Sequence, residues 1–459
     1  MPDVRKKILV IGAGPGGYNA AVRAAQLGAD VTLVEKAQPG GVCLNWGCIP
    51  SKSLLDAAHR FDVLNSLPDL LEEGGKEAVD AVMKKASWPK IQARRAAVLE
   101  KLRGNLLRLF KATGINYVSG TARFTSANSA EIETASGPQA VSFDSAVIAV
   151  GTQPFFPKPF DEQREKLLDN VRVFGLEKLP ESVLIIGAGA IGAEFSCIFS
   201  SFGVRTHLIE LKPAVLPGLD AGASRAVQTA FKKRGINLHL GVSAQALSIE
   251  GHKKTVKLSD GTELTADEVL VAVGRTAELG GLGLEKAGLE WDRRGIKVDN
   301  FLRTAVPHIY AVGDVNGFAL LAHAAEYQGH IAAANALGAA ETYDNSLVPS
   351  CIYTHPEVAS IGFDKEQAEA KGHKVKTGRA FFLSSGRALS QNEPDGFVQT
   401  VYDEATGLIL GGQLVGHTAT ELLHIFAVAI RVRMTVSDLE KVMFAHPTMA
   451  ETIKESLRR

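Results

Sequence analysis

The sequence has few cysteines, no net charge and no long hydrophobic run. Four cysteines in 459 residues exclude the disulfide framework of a small secreted protein. Lysine plus arginine equals aspartate plus glutamate at 50 each, so no overall field recruits nucleic acid or an anionic membrane. No apolar run approaches the ~20 residues that span a bilayer. The apolar run Lys7–Ile11 begins too early for a signal peptide, so we expect a cytoplasmic protein without nucleic-acid or membrane partners.

Composition and length indicate a globular protein of more than one domain. Apolar residues make up 46% of the chain and charged residues 22%, which is typical of folded domains. A chain of 459 residues exceeds a single compact core, so we expect two or three domains. Many of the 45 glycines fall in clusters, where the backbone turns sharply or approaches a ligand.

The strongest organisational signal is an internal repeat. Each copy has an apolar strand, a glycine-rich turn, a helix and a second strand ending on a glutamate, 23 positions after the first glycine. The first copy comprises strand 7–11, Gly12, Gly14, Gly17, helix 18–27, strand 30–34 and Glu35. The second comprises strand 182–186, Gly187, Gly189, Gly192, helix 193–202, strand 205–209 and Glu210. Both match the β-α-β unit that binds a dinucleotide.

The two copies predict two bound dinucleotides, one flavin and one nicotinamide. The glycines bring the pyrophosphate against bare backbone at a helix N-terminus, and Glu35 and Glu210 can each accept from ribose hydroxyls. A carboxylate at Glu210 repels a 2′-phosphate, so NAD is favoured over NADP. The alternative is two ordinary β-α-β turns without ligands, since one glycine-rich turn is weak evidence by itself.

The remaining pattern predicts an α/β protein with an inserted second domain. A long helix covers 87–113, and strands at 146–150 and 269–273 close the two β-α-β halves. A strand ending at Gly313 and Asp314 and a helix over 321–337 follow. From Leu347 onward, strands alternate with polar turns before a helix over 420–432. We expect one dinucleotide-binding domain from residues 1–150 with 277–345, a second from 151–276, and an α+β domain from 346–459.

Cys43 and Cys48 form the second chemical signal. Pro50 suits the first turn of a helix running towards Arg60, which puts Cys48 at the helix N-terminus. There the helix dipole lowers the pKa of a thiol. Zinc would need two further ligands and no second pair follows, so no metal site is predicted. The alternative is a pair of buried structural cysteines, a description that fits Cys197 and Cys351.

The segment Gly40-Gly-Val-Cys-Leu-Asn-Trp-Gly-Cys-Ile-Pro-Ser-Lys52, after a flavin-type glycine turn, resembles the pyridine nucleotide–disulfide oxidoreductases. The likeness runs along essentially the whole chain and is strongest to the lipoamide-oxidising branch. Further segments carry it: Trp88-Pro-Lys, Gly120-Thr-Ala-Arg-Phe, Gly313-Asp314, Leu321-Ala-His-Ala-Ala-Glu, Tyr353-Thr-His-Pro-Glu, Asp395-Gly-Phe and His446-Pro-Thr. Where the family usually has Val-Gly-Arg-x-Pro-Asn, this chain has Ala277 and Glu278 at the last two positions.

The resemblance implies two Rossmann-like domains, which bind FAD and NAD, and a C-terminal dimerisation domain. It implies that Cys48 faces the flavin, that Cys43 exchanges with substrate, and that Lys52 lies beside the flavin and pairs with Glu194. It also implies that Asp314 binds the flavin ribitol. The remaining cofactor contacts implied are Gly120, Gly151, Thr152, Gly274, Leu320, Leu321, Ala322 and His323.

His446 and Glu451 form the acid–base pair of the family, so the resemblance gives them that role. Thiol exchange needs a proton acceptor near neutral pH, which histidine can be, and a carboxylate can orient its ring. From the residues alone, a surface histidine near a C-terminus is the alternative. The resemblance further implies a cis His446–Pro447 bond and a homodimer in which this histidine serves the partner's disulfide.

The function implied is oxidation of dihydrolipoamide with NAD⁺, as a component serving lipoyl domains of a 2-oxoacid dehydrogenase or glycine cleavage system. One alternative is a relative that reduces another disulfide, such as glutathione, with NADPH; Glu210 argues against it. A mercuric-ion reductase would carry a cysteine pair near its end, where this chain has none. A catalytically idle docking flavoprotein would not need Cys43, Cys48, Lys52 and His446 together.

Overall fold

A computed structural model describes residues 5–458, which divide into two compact units. The first unit comprises the chain up to Leu54, Ser87–Phe155 and Gly274–Asn345. The second comprises Leu55–Ala86, Phe156–Val273 and the chain from Ser346 onward. Among the described helices, none combines the length and the apolar character that crossing a lipid bilayer requires.

A five-stranded parallel sheet forms the centre of the first unit. Its central strands are almost wholly apolar because both faces of such a sheet are covered by other elements. In spatial order they are Ile309–Ala311, Ser145–Ile148, Lys7–Ile11, Asp30–Glu35 and Asn116–Ser119. The helices that begin in this unit are Pro15–Gln26, Gly41–Trp46, Cys48–Ser66, Trp88–Ala112 and Ala322–Ala336.

An antiparallel sheet packs against the parallel sheet and completes the core of the first unit. Its strands are Thr121–Ser126, Ser129–Thr134 and Gly137–Ser142. Phe124 and Ile132 from this sheet join Leu9 and Ile148 from the parallel sheet in one buried cluster. Two short strand pairs are Thr152–Pro154 with Arg275–Ala277, and Trp291–Asp292 with Gly295–Ile296.

The second unit contains the second copy of the β-α-β repeat. Its parallel sheet has the spatial order Asn237–Leu240, Arg205–Glu210, Ser182–Ile186 and Glu268–Val271. An antiparallel sheet of Ala244–Glu250, Lys253–Leu258 and Glu263–Ala266 shares its hydrophobic core. The helices of this part are Ala190–Ser201 and Ala221–Lys233, and the helix Gly75–Met83 also belongs to the unit.

The C-terminal part of the second unit is a five-stranded sheet with antiparallel pairing. The strand order is Ser350–Ile352, Glu357–Gly362, Ile409–Gly416, Phe397–Asp403 and Val375–Phe381. Phe426 of a long helix packs with Val398 and Leu414 of the sheet in one buried cluster. The helices are Lys365–Ala370, Gly386–Ser390, Ala419–Arg431, Val436–Glu440 and Glu451–Ser456.

The α/β fold class with two Rossmann-like units and a C-terminal α+β part is confirmed. The two helices after the glycine turns begin three residues earlier than predicted, at Pro15 and Ala190. Gly14 and Gly189 are their N-caps, so the later glycines of each motif already lie in the first helical turn. This places backbone amide donors of the helix beside the turn itself.

Candidate active site

The two glycine turns have matching geometry. A Cβ atom on Gly12 would lie 2.5 Å from the Ala149 carbonyl oxygen, and one on Gly17 would lie 1.8 Å from the Gly12 carbonyl oxygen. In the second copy, a Cβ atom on Gly187 would lie 2.5 Å from the Ala272 carbonyl oxygen, and one on Gly192 would lie 1.9 Å from the Gly187 carbonyl oxygen. The outer glycines of each motif are therefore required by packing within the turn.

The middle glycine of each motif faces open space. A Cβ on Gly14 would have its nearest neighbour at 3.9 Å, and one on Gly189 would meet nothing within 4 Å. No side chain caps either helix N-terminus, so its dipole and first amides can serve an anion. Both turns thus fit a pyrophosphate approaching bare backbone, as dinucleotide cofactors require.

Glu35 and Glu210 hold these turns in the same way. Glu35 accepts from the amide of Ala13 at 2.7 Å through Oε2 and from Ala37 at 2.8 Å through Oε1. Glu210 accepts from Ala188 at 2.7 Å and from Lys212 at 2.9 Å through the corresponding oxygens. A carboxylate has about four lone-pair sites, so each can still accept from a ribose hydroxyl. Their structural role was not predicted, although the shared 23-residue spacing was its signal.

Cys43 and Cys48 lie on consecutive helices beside the first glycine turn. Cys43 is in the helix Gly41–Trp46, and Cys48 is the first residue of the helix Cys48–Ser66. The Gly40 amide donates to the Ala13 carbonyl at 2.8 Å, which fastens the cysteine segment to the turn. The predicted position of Cys48 at a helix N-terminus is confirmed, and there a helix dipole favours thiolate.

The two cysteines form a reduced pair that shares a hydrogen bond. This bond to Cys48 raises the pKa of Cys43, burial raises it further, and the Lys52 charge opposes both effects. Lys52 follows Cys48 by four residues on the same helix, one turn away. The helix N-terminus at Cys48 and the raised pKa of Cys43 make the two sulfur atoms chemically unequal.

Asp314 lies in the 3₁₀ turn Gly313–Asn316, which follows the strand Ile309–Ala311 after one residue. The Thr152 hydroxyl donates to its Oδ2 at 2.8 Å. Burial raises the pKa of Asp314, while the Thr152 hydrogen bond and the nearby charge of Arg275 lower it. A sequestered carboxylate of this kind fits a polyhydroxy chain such as a flavin ribitol, because it can accept hydroxyl protons.

The other predicted cofactor contacts of the first unit occupy turns and helix ends. Gly120 donates its amide to the Glu35 carbonyl at 2.9 Å, and Gly151 has a φ of +72°. Leu321 is the N-cap of the helix Ala322–Ala336, without a side-chain cap, after the half-exposed Leu320. The first-turn amides of Ala322 and His323 can therefore face an acceptor on a ligand.

Glu194 is buried in the helix Ala190–Ser201 of the second unit, where its Oε1 accepts from the Tyr353 amide at 3.0 Å. Gly274 has a φ of +129°, which glycine adopts readily and other residues rarely do. The pairing of Lys52 with Glu194 stays a prediction.

His446 and Glu451 form a directed pair near the C-terminus. Nδ1 of His446 lies 3.0 Å from Oε1 of Glu451, whose Oε2 accepts from the Thr448 amide at 2.8 Å. The Thr448 bond, then the His446 bond, hold the pKa of Glu451 below its usual value. The His446–Pro447 bond is cis, as expected, and the His446 side chain is 81% exposed within the single chain. The exposed ring can thus receive a proton on Nε2.

Two features of the segment 275–278 were missed. Arg275 donates from Nε to the Thr152 hydroxyl at 2.7 Å and from Nη2 to the Thr152 carbonyl at 2.6 Å. Glu278, in place of the amide usual in the resembled family, pairs with Lys36 at 2.5 Å. The contacts of Arg275 depend on long-range pairing of the strands Thr152–Pro154 and Arg275–Ala277, which no local pattern reveals.

Comparison with known proteins agrees with this site. Residues 6–329 match the pyridine nucleotide-disulphide oxidoreductase model, and residues 348–457 match the dimerisation domain of the same family. A dihydrolipoyl dehydrogenase of Haloferax volcanii is 39% identical, covering 98% of this chain and 95% of the relative. One from Bacillus subtilis is 37% identical, with 98% and 95% covered.

A solved structure, LpdA from Mycobacterium tuberculosis, matches with a TM-score of 0.91 and 26% identity over 99% of both chains. The family uses FAD and NAD(H), which confirms the cofactors predicted from the two glycine turns. The dimerisation-domain match supports the expected homodimer. With matched geometry in both turns and a reduced cysteine pair beside the first, the chain belongs to the pyridine nucleotide-disulphide oxidoreductase family.

Proposed function

We propose that this protein oxidises dihydrolipoyl groups to lipoyl disulfides with NAD⁺, through FAD and its own Cys43–Cys48 pair. The observation that carries the proposal is the hydrogen-bonded thiol pair fastened to the first glycine turn. Relatives that are 39% and 37% identical along almost their full length are named dihydrolipoyl dehydrogenase. The carboxylate of Glu210 favours NAD over NADP.

The chemistry begins with the Cys43–Cys48 disulfide. One substrate thiol loses its proton to Nε2 of His446, and its sulfur bonds to Sγ of Cys43 as the Cys43–Cys48 bond breaks. The second substrate thiol then attacks its partner sulfur and breaks the bond to Cys43; its proton passes to the released Cys43 sulfur as the lipoyl disulfide closes. Two electrons now reside on the cysteine pair, as a thiol on Cys43 and a thiolate on Cys48. When bound, FAD supplies the chemistry that transfers this electron pair to NAD⁺ as hydride.

Each remaining residue has a defined task in this scheme. Glu451 orients the imidazole of His446 and stabilises its charged form. Lys52 offsets negative charge beside the cysteine pair, in partnership with Glu194. The groups that hold FAD are Gly12, Gly14, Gly17, Glu35, Lys52, Gly120, Gly151, Thr152, Asp314, Leu320, Leu321, Ala322 and His323. The groups that hold NAD are Gly187, Gly189, Gly192, Glu194, Glu210 and Gly274.

The working form is a homodimer in which His446 serves the disulfide of the partner subunit. Its macromolecular substrates are lipoyl domains of a 2-oxoacid dehydrogenase or glycine cleavage system, in the cytoplasm. We assign FAD binding to residues 1–150 with 277–345, NAD binding to 151–276 and dimerisation to 346–459. The match of residues 348–457 to the dimerisation domain of the family supports the last of these assignments.

A four-way turnover assay tests the proposal. The purified holoenzyme is supplied with dihydrolipoamide and NAD⁺, dihydrolipoamide and NADP⁺, glutathione disulfide and NADH, or glutathione disulfide and NADPH. We expect the first combination to exceed each of the others at least about a hundredfold in kcat/KM, or roughly 3 kcal/mol. Preferential turnover of glutathione disulfide would refute the proposed substrate class, and preferential use of NADP⁺ would refute the assigned coenzyme.

A further inference from the structure

The strand pair Thr152–Pro154 and Arg275–Ala277 carries a hydrogen-bond relay that ends on Asp314. The guanidinium of Arg275 meets Thr152 at two atoms, the hydroxyl at 2.7 Å and the carbonyl oxygen at 2.6 Å. Both donors belong to one planar group, so this fork fixes the position and orientation of Thr152. Thr152 itself is 5% exposed, which leaves its hydroxyl little access to water as a substitute partner.

The hydrogen bonds of this relay can run in one direction, from Arg275 through Thr152 to Asp314. Arginine has donors only, so the Thr152 hydroxyl must accept from Nε of Arg275. A hydroxyl has a single proton, and the contact of 2.8 Å with Oδ2 commits that proton to Asp314. Oδ2 must then be an acceptor, which a carboxylate oxygen always is. The relay therefore keeps Oδ2 as an acceptor and leaves Oδ1 to face a ligand.

We propose that Arg275 is a positioning residue of the flavin site, which acts through Thr152 to hold the Asp314 carboxylate towards the ribitol hydroxyls. The inference rests on the assignment of Asp314 to FAD within the proposed function. Arg275 does not touch the flavin in this scheme; it orders the group that does. A lysine at this position would supply the charge without the two-donor fork.

Charge compensation is the second contribution of Arg275. Burial raises the pKa of Asp314, and the opposing effects come from the Thr152 bond and from the charge of Arg275. Other elements also pack against the turn Gly313–Asn316. The helix Ala322–Ala336 carries the titratable residues His323, Glu326, Tyr327 and His330, and the strand Gly295–Ile296 directly follows Arg294. Arg275 is the side-chain charge that lowers the pKa of Asp314, so its removal would raise that pKa.

Release of FAD from the holoenzyme tests the inference without any turnover. Wild type, Arg275→Met, Arg275→Lys and Asp314→Asn are diluted, and free flavin is followed by its fluorescence between pH 5 and 8. A lost charge-assisted contact predicts about tenfold to hundredfold faster release for Arg275→Met. The release rate of Arg275→Met relative to wild type should grow as the pH falls. Without the charge of Arg275, Asp314 takes up a proton at a higher pH than it does in wild type. Arg275→Lys should fall between the two.

A double-variant cycle separates positioning from general loss of stability. If Arg275 acts through Asp314, Arg275→Met adds less than about twofold to the release rate in the Asp314→Asn background. An equal effect in both backgrounds, or an effect independent of pH, would overturn the inference. So would unchanged flavin release combined with a raised KM for NAD⁺, which would assign Arg275 to the nicotinamide beside Gly274. Wild-type holoenzyme that retains FAD but fails to oxidise dihydrolipoamide would refute the proposed function alone.

Discussion

His446→Gln should stop dithiol oxidation while leaving the folded protein intact. The side chain is 81% exposed in the single chain, so its replacement creates no cavity within that chain. The amide of glutamine can still donate to Glu451, whose other oxygen keeps its bond to the Thr448 amide. We therefore expect the free energy of unfolding to change by less than about 0.5 kcal/mol. The substitution therefore removes the proton acceptor and leaves the folded structure unchanged.

The magnitude follows from the role of a positioned base. The 3.0 Å contact between Nδ1 and Glu451 directs Nε2 of His446 outward as the acceptor. Removal of such a base typically costs 10²–10⁴-fold in rate, or about 3 to 5 kcal/mol of activation free energy. Glu451→Gln should cost less than His446→Gln, because the imidazole remains and loses only its orienting charge. Glu451 has a lowered pKa, so its carboxylate persists through the neutral and mildly acidic range.

Two assays on the same preparations isolate the effect. Oxidation of dihydrolipoamide by NAD⁺ measures the whole reaction, while NADH oxidation by an artificial electron acceptor bypasses thiol exchange. We expect His446→Gln to lose the first activity and keep the second. His424→Gln is the matched control, because His424 is also exposed and its ring lies against the Glu421 carbonyl. That control should keep both activities.

A mixed dimer tests which subunit supplies the base. One subunit carries His446→Gln and the other carries Cys43→Ser. If each site takes its histidine from the partner, both lesions fall in one site and the other site is intact. About half of the wild-type activity should then return. Verified mixed dimers that stay inactive would refute the assignment across subunits, and equal loss of both activities in His446→Gln would refute its role as base.

The remaining predictions concern the cofactor turns and the half-buried His355. Glu210→Arg should shift preference from NAD⁺ towards NADP⁺ in steady-state assays, and unchanged preference would place the adenosine ribose elsewhere. Gly189→Ala should fold normally, since its Cβ meets nothing within 4 Å, yet raise the KM for NAD⁺; an unchanged KM would contradict the pyrophosphate position. Burial lowers the pKa of His355 to about 4, so stability should fall as the pH drops from about 6.5 towards 4. In denaturant titrations at a series of pH values, His355→Gln should lose less stability than wild type over this range. An unchanged dependence of stability on pH would assign the loss to other groups.

The parts of the fold with strong local patterns could be predicted from the sequence. The strand Ser182–Ile186 has the predicted bounds, and the helix Trp88–Ala112 lies one residue inside the prediction at each end. Strands buried on both faces are continuous apolar runs, and long helices repeat apolar residues every three to four positions. The helix Cys48–Ser66 extends six residues beyond the predicted Arg60, since no proline or glycine ends it there.

The contacts between distant segments could not be predicted. Glu35 was assigned to ribose binding, yet both its oxygens also hold backbone amides of the glycine turn and strand end. Arg275 follows a recognised glycine, but its partner Thr152 is 123 residues away in the chain. Such pairs depend on strand register and side-chain direction in the folded chain, which residue types and spacing along the sequence do not specify.

The absorbance of the cysteine–flavin pair tests the central claim most directly. The holoenzyme is mixed anaerobically with one equivalent of dihydrolipoamide, and NAD⁺ is added afterwards. We expect a long-wavelength charge-transfer band from the Cys48 thiolate to form first, and then to decay as NADH appears. Cys43→Ser should show such a band without any reductant, and Cys48→Ser should not show it at all. The opposite behaviour of the two variants, or NADH formation at the wild-type rate in either, would contradict the relay through Cys43 and Cys48.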